Sequence, residues 1–187
     1  MKGAIVLVRH AQPCSPVVGG PDDFHRGLTP AGFDEAEAWA TTVAAMRPST
    51  IVSSPYLRAI QTVRPAAHLL SLPVATYPDL REWDSGLSIR PDYADQHAAS
   101  WRAPTVARPD GESLNQLTER AVAALSLLLD THQGAVIVGS HGTFVARALA
   151  GFGADVDWSF ARAMPMPAVY TVEFCTSEVV LTGPGLP

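Results

Sequence analysis

Residues 4–8, Ala-Ile-Val-Leu-Val, are a run of apolar β-formers with no polar position, and Arg9 and His10 follow at once. A strand with one wet face alternates polar and apolar side chains, whereas a strand without alternation is buried on both faces. Burying both faces requires helices above and below the sheet, which is the arrangement of an α/β protein. Residues 135–140, Ala-Val-Ile-Val-Gly-Ser, repeat the pattern and run into His141. The chain is therefore expected to form an α/β fold with a largely parallel central sheet.

The segments between these runs supply the other elements. Thr29-Pro30 reads as an N-cap followed by proline at the first helical position, and Phe33, Ala36, Ala40 and Val43 recur at helical spacing to about Arg47. Asp34 and Glu35 fall in the early turns, where the helix dipole favours acids. Thr50–Ser53 reads as a short strand. Ser54-Pro55 repeats the cap-plus-proline signal and opens a helix through Arg64, with Pro65 kinking or restarting it. Leu72–Thr76 is a candidate third strand. Residues 77–109 read as a long irregular loop, a length usually tied to function. From Asp110 to Thr131, Leu114, Leu117, Ala121, Leu125 and Leu128 share one helical face. A short helix over Thr143–Ala150 follows the 135–140 strand, and Val169–Cys175 with Val179–Thr182 form a terminal strand pair.

Composition narrows the class. A length of 187 residues with 47% apolar and 17% charged positions fits one domain over residues 1–187 with its own core. The net charge is −5 without a Lys/Arg cluster, which argues against a nucleic-acid surface. Two cysteines, Cys14 and Cys175, are no disulfide framework and show no metal spacing. The N-terminal apolar run is too short for a signal peptide, and no stretch reaches the ~18–20 apolar residues of a membrane span. The expectation is a soluble, cytoplasmic protein that meets no membrane.

In open parallel sheets, ligands gather at the carboxyl ends of the strands. Arg9-His10 ends the first strand, Arg58 follows the second, and His141 ends the 135–140 strand. Cations brought together repel unless an anion lies between them, and arginine forks match phosphate oxygens. The start of the helix after Ser54-Pro55 adds backbone N–H groups. Histidine can act as a covalent nucleophile, and phosphoryl transfer asks for placement and charge stabilisation. Glu82, in Asp79-Leu80-Arg81-Glu82-Trp83-Asp84, is a candidate proton donor, with Asp84 as its competitor.

The segments LVRHAQ (7–12), GLTPAGFDEA (27–36), VSSPYLRAIQT (52–62), LREWDSG (80–86), PDGES (109–113) and VGSHGT (138–143) occur in an order that resembles the histidine phosphatase superfamily, also called phosphoglycerate mutase-like. The resemblance implies a three-layer α/β/α sandwich and a phosphohistidine intermediate formed without metal or cofactor. It matches His10 to the nucleophile, Arg9, Arg58 and His141 to the phosphate clamp, Glu82 to the proton donor, and Gln12 to a position near the phosphate. The implied activity is phosphomonoester hydrolysis on a small phosphorylated metabolite. Mutase-type transfer, dephosphorylation of a phosphohistidine protein and a non-catalytic phospholigand-binding module are the alternatives. Ala11, Pro13 and Pro16 depart from the family pattern, and a proline supplies no donor.

Other residues have simpler readings. His25, His68, His97 and His132 are expected at the surface or in local hydrogen bonds, with His25-Arg26 able to reach the pocket rim. Arg81 is expected to pair with a neighbouring carboxylate. Tyr93, Trp101, Arg90 and Arg102 are expected to pack, with a substrate lid as the alternative. Specificity is expected in residues 13–27 and 77–109.

Overall fold

The computed structural model describes residues 3–17, 22–87, 92–175 and 178–187. Arg90, one of the residues expected to pack or form a lid, lies outside them. A central sheet of six strands has the order β3-β2-β4-β1-β5-β6. The strands are β1 (Gly3–Arg9), β2 (Thr50–Ser53), β3 (Val74–Thr76), β4 (Ala135–Ser140), β5 (Ala168–Phe174) and β6 (Val179–Thr182). β1 lies parallel to β4, β4 to β2 and β2 to β3, while β5 runs antiparallel to both β1 and β6. The two edge strands are short, which limits the unpaired backbone they expose.

β1 sits between two neighbours and shows why it carries no polar position. Ile5 and Leu7 pack with Leu117, Leu125 and Phe144 on one side of the sheet. Val6 and Val8 pack with Ala40, Val43 and Val63 on the other. The first side is covered by α4 (Leu114–Thr131) and α5 (Gly142–Gly151), and the second by α1 (Pro30–Ala45) and α2 (Leu57–Leu70). The result is a three-layer sandwich. No helix among the described residues is long and apolar enough to cross a membrane.

Several elements depart from the sequence expectation for identifiable reasons. In α1 the expected positions Ala36, Ala40 and Val43 are buried, but Phe33 is 42% exposed and Gly32 is buried in its place. A Cβ on Gly32 would come within 2.2 Å of the Gln12 carbonyl oxygen, so the loop after β1 lies directly on this helix. Asp34 and Glu35 lie just past the first turn of α1, and Glu35 accepts the Gln12 backbone N–H at 3.1 Å. α2 starts at Leu57 without a side-chain cap, and it continues through Pro65 to Leu70. Pro65, Ala66 and Ala67 are all buried along this stretch. α4 begins at Leu114 rather than Asp110, because Asp110 takes a left-handed φ of 60° and Ser113 with Gln116 forms a capping box.

The 77–109 segment is not uniformly irregular. It contains a 3₁₀ turn (Pro78–Leu80) and a helix, α3 (Tyr93–Arg102). A further short helix, α6 (Trp158–Ala163), was not expected; Asp157 caps it by accepting the Phe160 N–H at 2.9 Å. His97 on α3 is not a surface or hydrogen-bonded histidine. Its ring packs 5.0 Å from Trp83, 5.7 Å from Tyr93 and 4.8 Å from Trp158, and its buried Nδ1 has no partner among the described residues. This aromatic cluster ties α3 to the body of the fold.

Candidate active site

Strand register brings the site residues level. Arg9 pairs with Ser140 across β1 and β4, and Ser53 pairs with Gly139 across β2 and β4. The ladder continues one step further, with His10 N–H donating to the Ser140 carbonyl at 3.0 Å and Ser54 N–H donating to the Gly139 carbonyl at 2.8 Å. His10, Ser54 and His141 therefore leave the sheet side by side. The His10 and His141 rings lie 5.3 Å apart in an edge arrangement.

His10 is oriented by its own neighbour. Its Nδ1 lies 2.8 Å from the Ala11 carbonyl oxygen. A carbonyl can only accept, so Nδ1 carries the proton and Nε2 presents a lone pair. Arg58 Nε donates to that Nε2 at 3.2 Å. The Ala11 N–H donates to Thr62 Oγ1 at 3.0 Å, and Thr62 donates to the Arg58 carbonyl, so loop and helix hold each other. Burial is the main cause that lowers His10 from 6.5 to about 3; the Ala11 hydrogen bond opposes it, and Arg58, Arg9 and Arg26 add to it. His141 is also held well below its ordinary value, first by burial and then by His10 and Arg58. Both rings are neutral at physiological pH.

His141 is fully buried. Its Nε2 lies 2.7 Å from Ser54 Oγ, which also accepts the Tyr56 N–H at 3.2 Å. Its Nδ1 is buried without a partner among the described residues, and so is Arg9 Nε. Arg9 donates through Nη1 to the Met164 carbonyl, and its guanidinium lies against Gly142. Buried polar atoms without partners cost about 1–3 kcal/mol each unless something fills the place. One of them, His141 Nδ1, belongs to the ring 5.3 Å from that of His10.

An open cleft of about 880 Å³ reaches this point, and His10, Arg58, Glu82, Asp84 and Arg26 are among its lining residues. Glu82 sits at the start of α5, accepting Phe144 N–H at 3.1 Å, Thr143 N–H at 3.3 Å and Trp83 N–H at 2.8 Å. Asp84 also borders the cleft but is exposed, and its backbone N–H donates to Glu112 Oε1 at 3.2 Å. Arg9 and His141 are not among the cleft's lining residues. Gln12 does not border the cleft; its Oε1 accepts from Thr29 Oγ1 at 3.2 Å. Pro13 bridges to Leu28, and Pro16 lines the cleft. Arg26 reaches the rim as the sequence suggested, while His25 pairs with Asp22 at 2.9 Å. Arg81 pairs with Asp79 at 3.8 Å.

Three residues were not singled out in the sequence. Ser54 fixes His141, Arg120 braces the Glu82 segment, and Asp23 grips Arg58. The sequence marks Ser54 only as a helix cap; because α2 starts at Leu57, its hydroxyl is free to meet His141. Among the described residues no group of three or more His, Cys, Asp and Glu is placed to hold a metal ion.

Fold and site together define an α/β protein in which His10 and His141, at two strand ends, meet Arg58 from α2 at the carboxyl end of the sheet, with Arg9 against Gly142 at the start of α5. The chain belongs to the histidine phosphatase superfamily (branch 1), whose profile it matches over residues 5–182. Solved structures with this fold include Bacillus stearothermophilus YhfR, at TM-score 0.78 and 20% identity, covering 99% of this chain and 98% of that one. A mycobacterial glucosyl-3-phosphoglycerate phosphatase superposes at TM-score 0.75 and 21% identity, covering 97% of each chain. An Entamoeba histolytica phosphoserine phosphatase variant in complex with phosphoserine superposes at 0.75 and 20%, covering 96% and 95%. No curated protein matches the sequence.

Proposed function

We propose that the protein is a metal-independent phosphomonoesterase that works through a phosphohistidine on His10. The observation that carries this reading is the His10 tautomer: Nδ1–H is committed to the Ala11 carbonyl, so Nε2 holds its lone pair beside the Arg58 guanidinium. His10 Nε2 forms a bond to phosphorus as the ester P–O bond breaks. The leaving alkoxide takes a proton from Glu82, which becomes a carboxylate. Water then attacks the phosphoryl group, Glu82 takes back a proton from that water, and the P–N bond breaks to release inorganic phosphate and neutral His10. Arg9, Arg58 and His141 stabilise the charge that spreads over the equatorial oxygens.

The test is turnover of an aryl and an alkyl phosphate in EDTA. Wild type should release inorganic phosphate from both and carry an acid-labile, base-stable phosphoryl label after a rapid quench. His10→Ala should lose label and turnover together. Glu82→Gln should slow the alkyl ester far more than the aryl ester, because only the poor leaving group needs the proton. Equal losses on both esters would hand the acid role to Asp84, and full dependence on added metal would overturn the mechanism. Including an alcohol as acceptor separates hydrolysis from mutase-type transfer.

A further inference from the structure

Arg58 comes from the core and is 3% exposed, yet it meets a carboxylate that comes from the solvent side. Asp23 is 55% exposed and sits in a turn at the cleft rim. Its Oδ2 accepts from Arg58 Nη2 at 3.0 Å, its Oδ1 from Arg58 Nη1 at 3.3 Å, and its backbone carbonyl from Arg58 Nη1 at 2.6 Å. The same Oδ1 accepts from Arg26 Nε at 3.0 Å and Nη2 at 2.5 Å. Arg26 is thereby held over the cleft, with its Nη1 on the Cys14 carbonyl at 2.8 Å. One carboxylate thus bridges two guanidinium groups next to His10.

This bridge uses donors a phosphate needs. Nε and Nη2 form one edge of the arginine fork, the edge that binds two oxygens of an oxyanion at once. In Arg58 that edge has Nε on His10 Nε2 and Nη2 on Asp23. A phosphorus within reach of His10 Nε2 would place an equatorial oxygen against this edge, and Asp23 stands on half of it. Carboxylate and phosphate dianion are like charges and oppose each other at close range.

We propose that Asp23 is an internal stand-in for the phosphate: it offsets half of the charge on Arg58 and Arg26 in the free protein, competes with every oxyanion that enters, and yields both arginines when substrate binds. The inference rests on the phosphate-site reading above. It makes Asp23 a built-in competitor that weakens retention of product phosphate. Arg26, once released, becomes a further cation for the substrate phosphate.

The experiment is calorimetric titration of inorganic phosphate into wild type, Asp23→Asn and Asp23→Ser, with thermal melting of each protein with and without phosphate. Phosphate should bind both variants more tightly, on the order of tenfold, the effect being moderated by water around the half-exposed side chain. Without phosphate the variants should melt below wild type, since the arginines lose their counter-charge, and phosphate should raise their melting point more than it raises wild type. The melting shift still reads the effect if one variant is too unstable to titrate. Weaker or unchanged phosphate binding in the folded variants, with wild type binding normally, overturns the inference alone and makes Asp23 an orienting residue for Arg58. Absence of phosphate binding in all three proteins removes the phosphate site itself, and the inference with it.

Discussion

Arg120 offers a direct test of how the Glu82 segment is held. From α4 it donates to the backbone carbonyls of Asp79 at 2.7 Å, Arg81 at 3.1 Å and Glu82 at 3.3 Å. Its Nε also donates to Glu112 Oε2 at 3.1 Å, and its Nη2 to Glu112 Oε1. Glu112 in turn binds the Asp84 backbone on both sides, and its carbonyl accepts the Trp83 indole N–H at 2.8 Å. Arg120 and Glu112 side chains are only 12% and 14% exposed, so Arg120→Met leaves a nearly buried carboxylate without its cation. Breaking such a pair costs about 3–5 kcal/mol when fully buried. With a little water access about 3 kcal/mol is expected, and at about 2–4 °C per kcal/mol for a chain of this size the melting point falls by roughly 6–12 °C. Urea unfolding of Arg120→Met, Glu112→Gln and the double variant measures it. Adding Glu112→Gln to Arg120→Met should restore more than half of the loss, because the remaining amide carries no buried charge and still accepts the Asp84 N–H. The single variant should also lose more turnover on alkyl than on aryl phosphate, since its effect reaches the chemistry through Glu82. A loss below about 1 kcal/mol, or a double variant less stable than Arg120→Met, would refute this account.

Two further outcomes follow from the geometry. His10 is neutral when folded, with its value lowered to about 3 against about 6.5 unfolded, so the unfolded chain binds more protons throughout that window. Stability should fall as pH drops below about 6.5, at up to about 1.4 kcal/mol per pH unit from this group, and His97, lowered to about 4 mainly by burial, acts in the same direction. Acid melting curves of His10→Ala should be flatter than wild type; equal slopes would mean His10 is not the group responsible. Gly142→Ala should cut kcat/KM on the order of tenfold while the fold survives, because the new Cβ would lie 3.2 Å from Arg9 Nε and Cζ and displace the guanidinium. Unchanged kinetics would show that Arg9 can shift without consequence.

What could be read from sequence followed the physics of burial. β1 and β4 are covered on both faces, so their apolar runs are continuous and their ends are sharp. Arg9, His10 and His141 stand out because charge and imidazole interrupt such runs. Arg58 was legible only through its distance from a strand end. Periodicity failed where burial is not helical in pattern. Among the described side chains of α3, only Ser100 is buried, and the helix is held through the rings of His97 and Trp101, so it lacks a stripe. Phe33 fits the α1 period, but Gly32 is needed where the loop at Gln12 presses on the helix. Asp23 and Arg120 were silent for a different reason. Each is a charged residue on a face or loop where charge is normal, and the contact that ties it to the site, Asp23 to Arg58 or Arg120 to the Glu82 carbonyl, spans more than thirty positions in sequence. Only the fold brings those pairs together.

The level register of β1, β4 and β2 has a consequence for how such a site can change. Sliding β1 by one residue against β4 would turn Ile5 and Leu7 toward the layer that Val6 and Val8 now fill, and would reverse the side on which His10 leaves the sheet. His10, the proposed nucleophile, cannot be retuned in small steps by shifting the strand that carries it. Variation is left to the chain around it, the rim at Asp23 and Arg26 and the cleft residues Ser85, Gly86, Leu87 and Tyr93, where a new side chain alters what enters the cleft and leaves His10 Nε2 where it was.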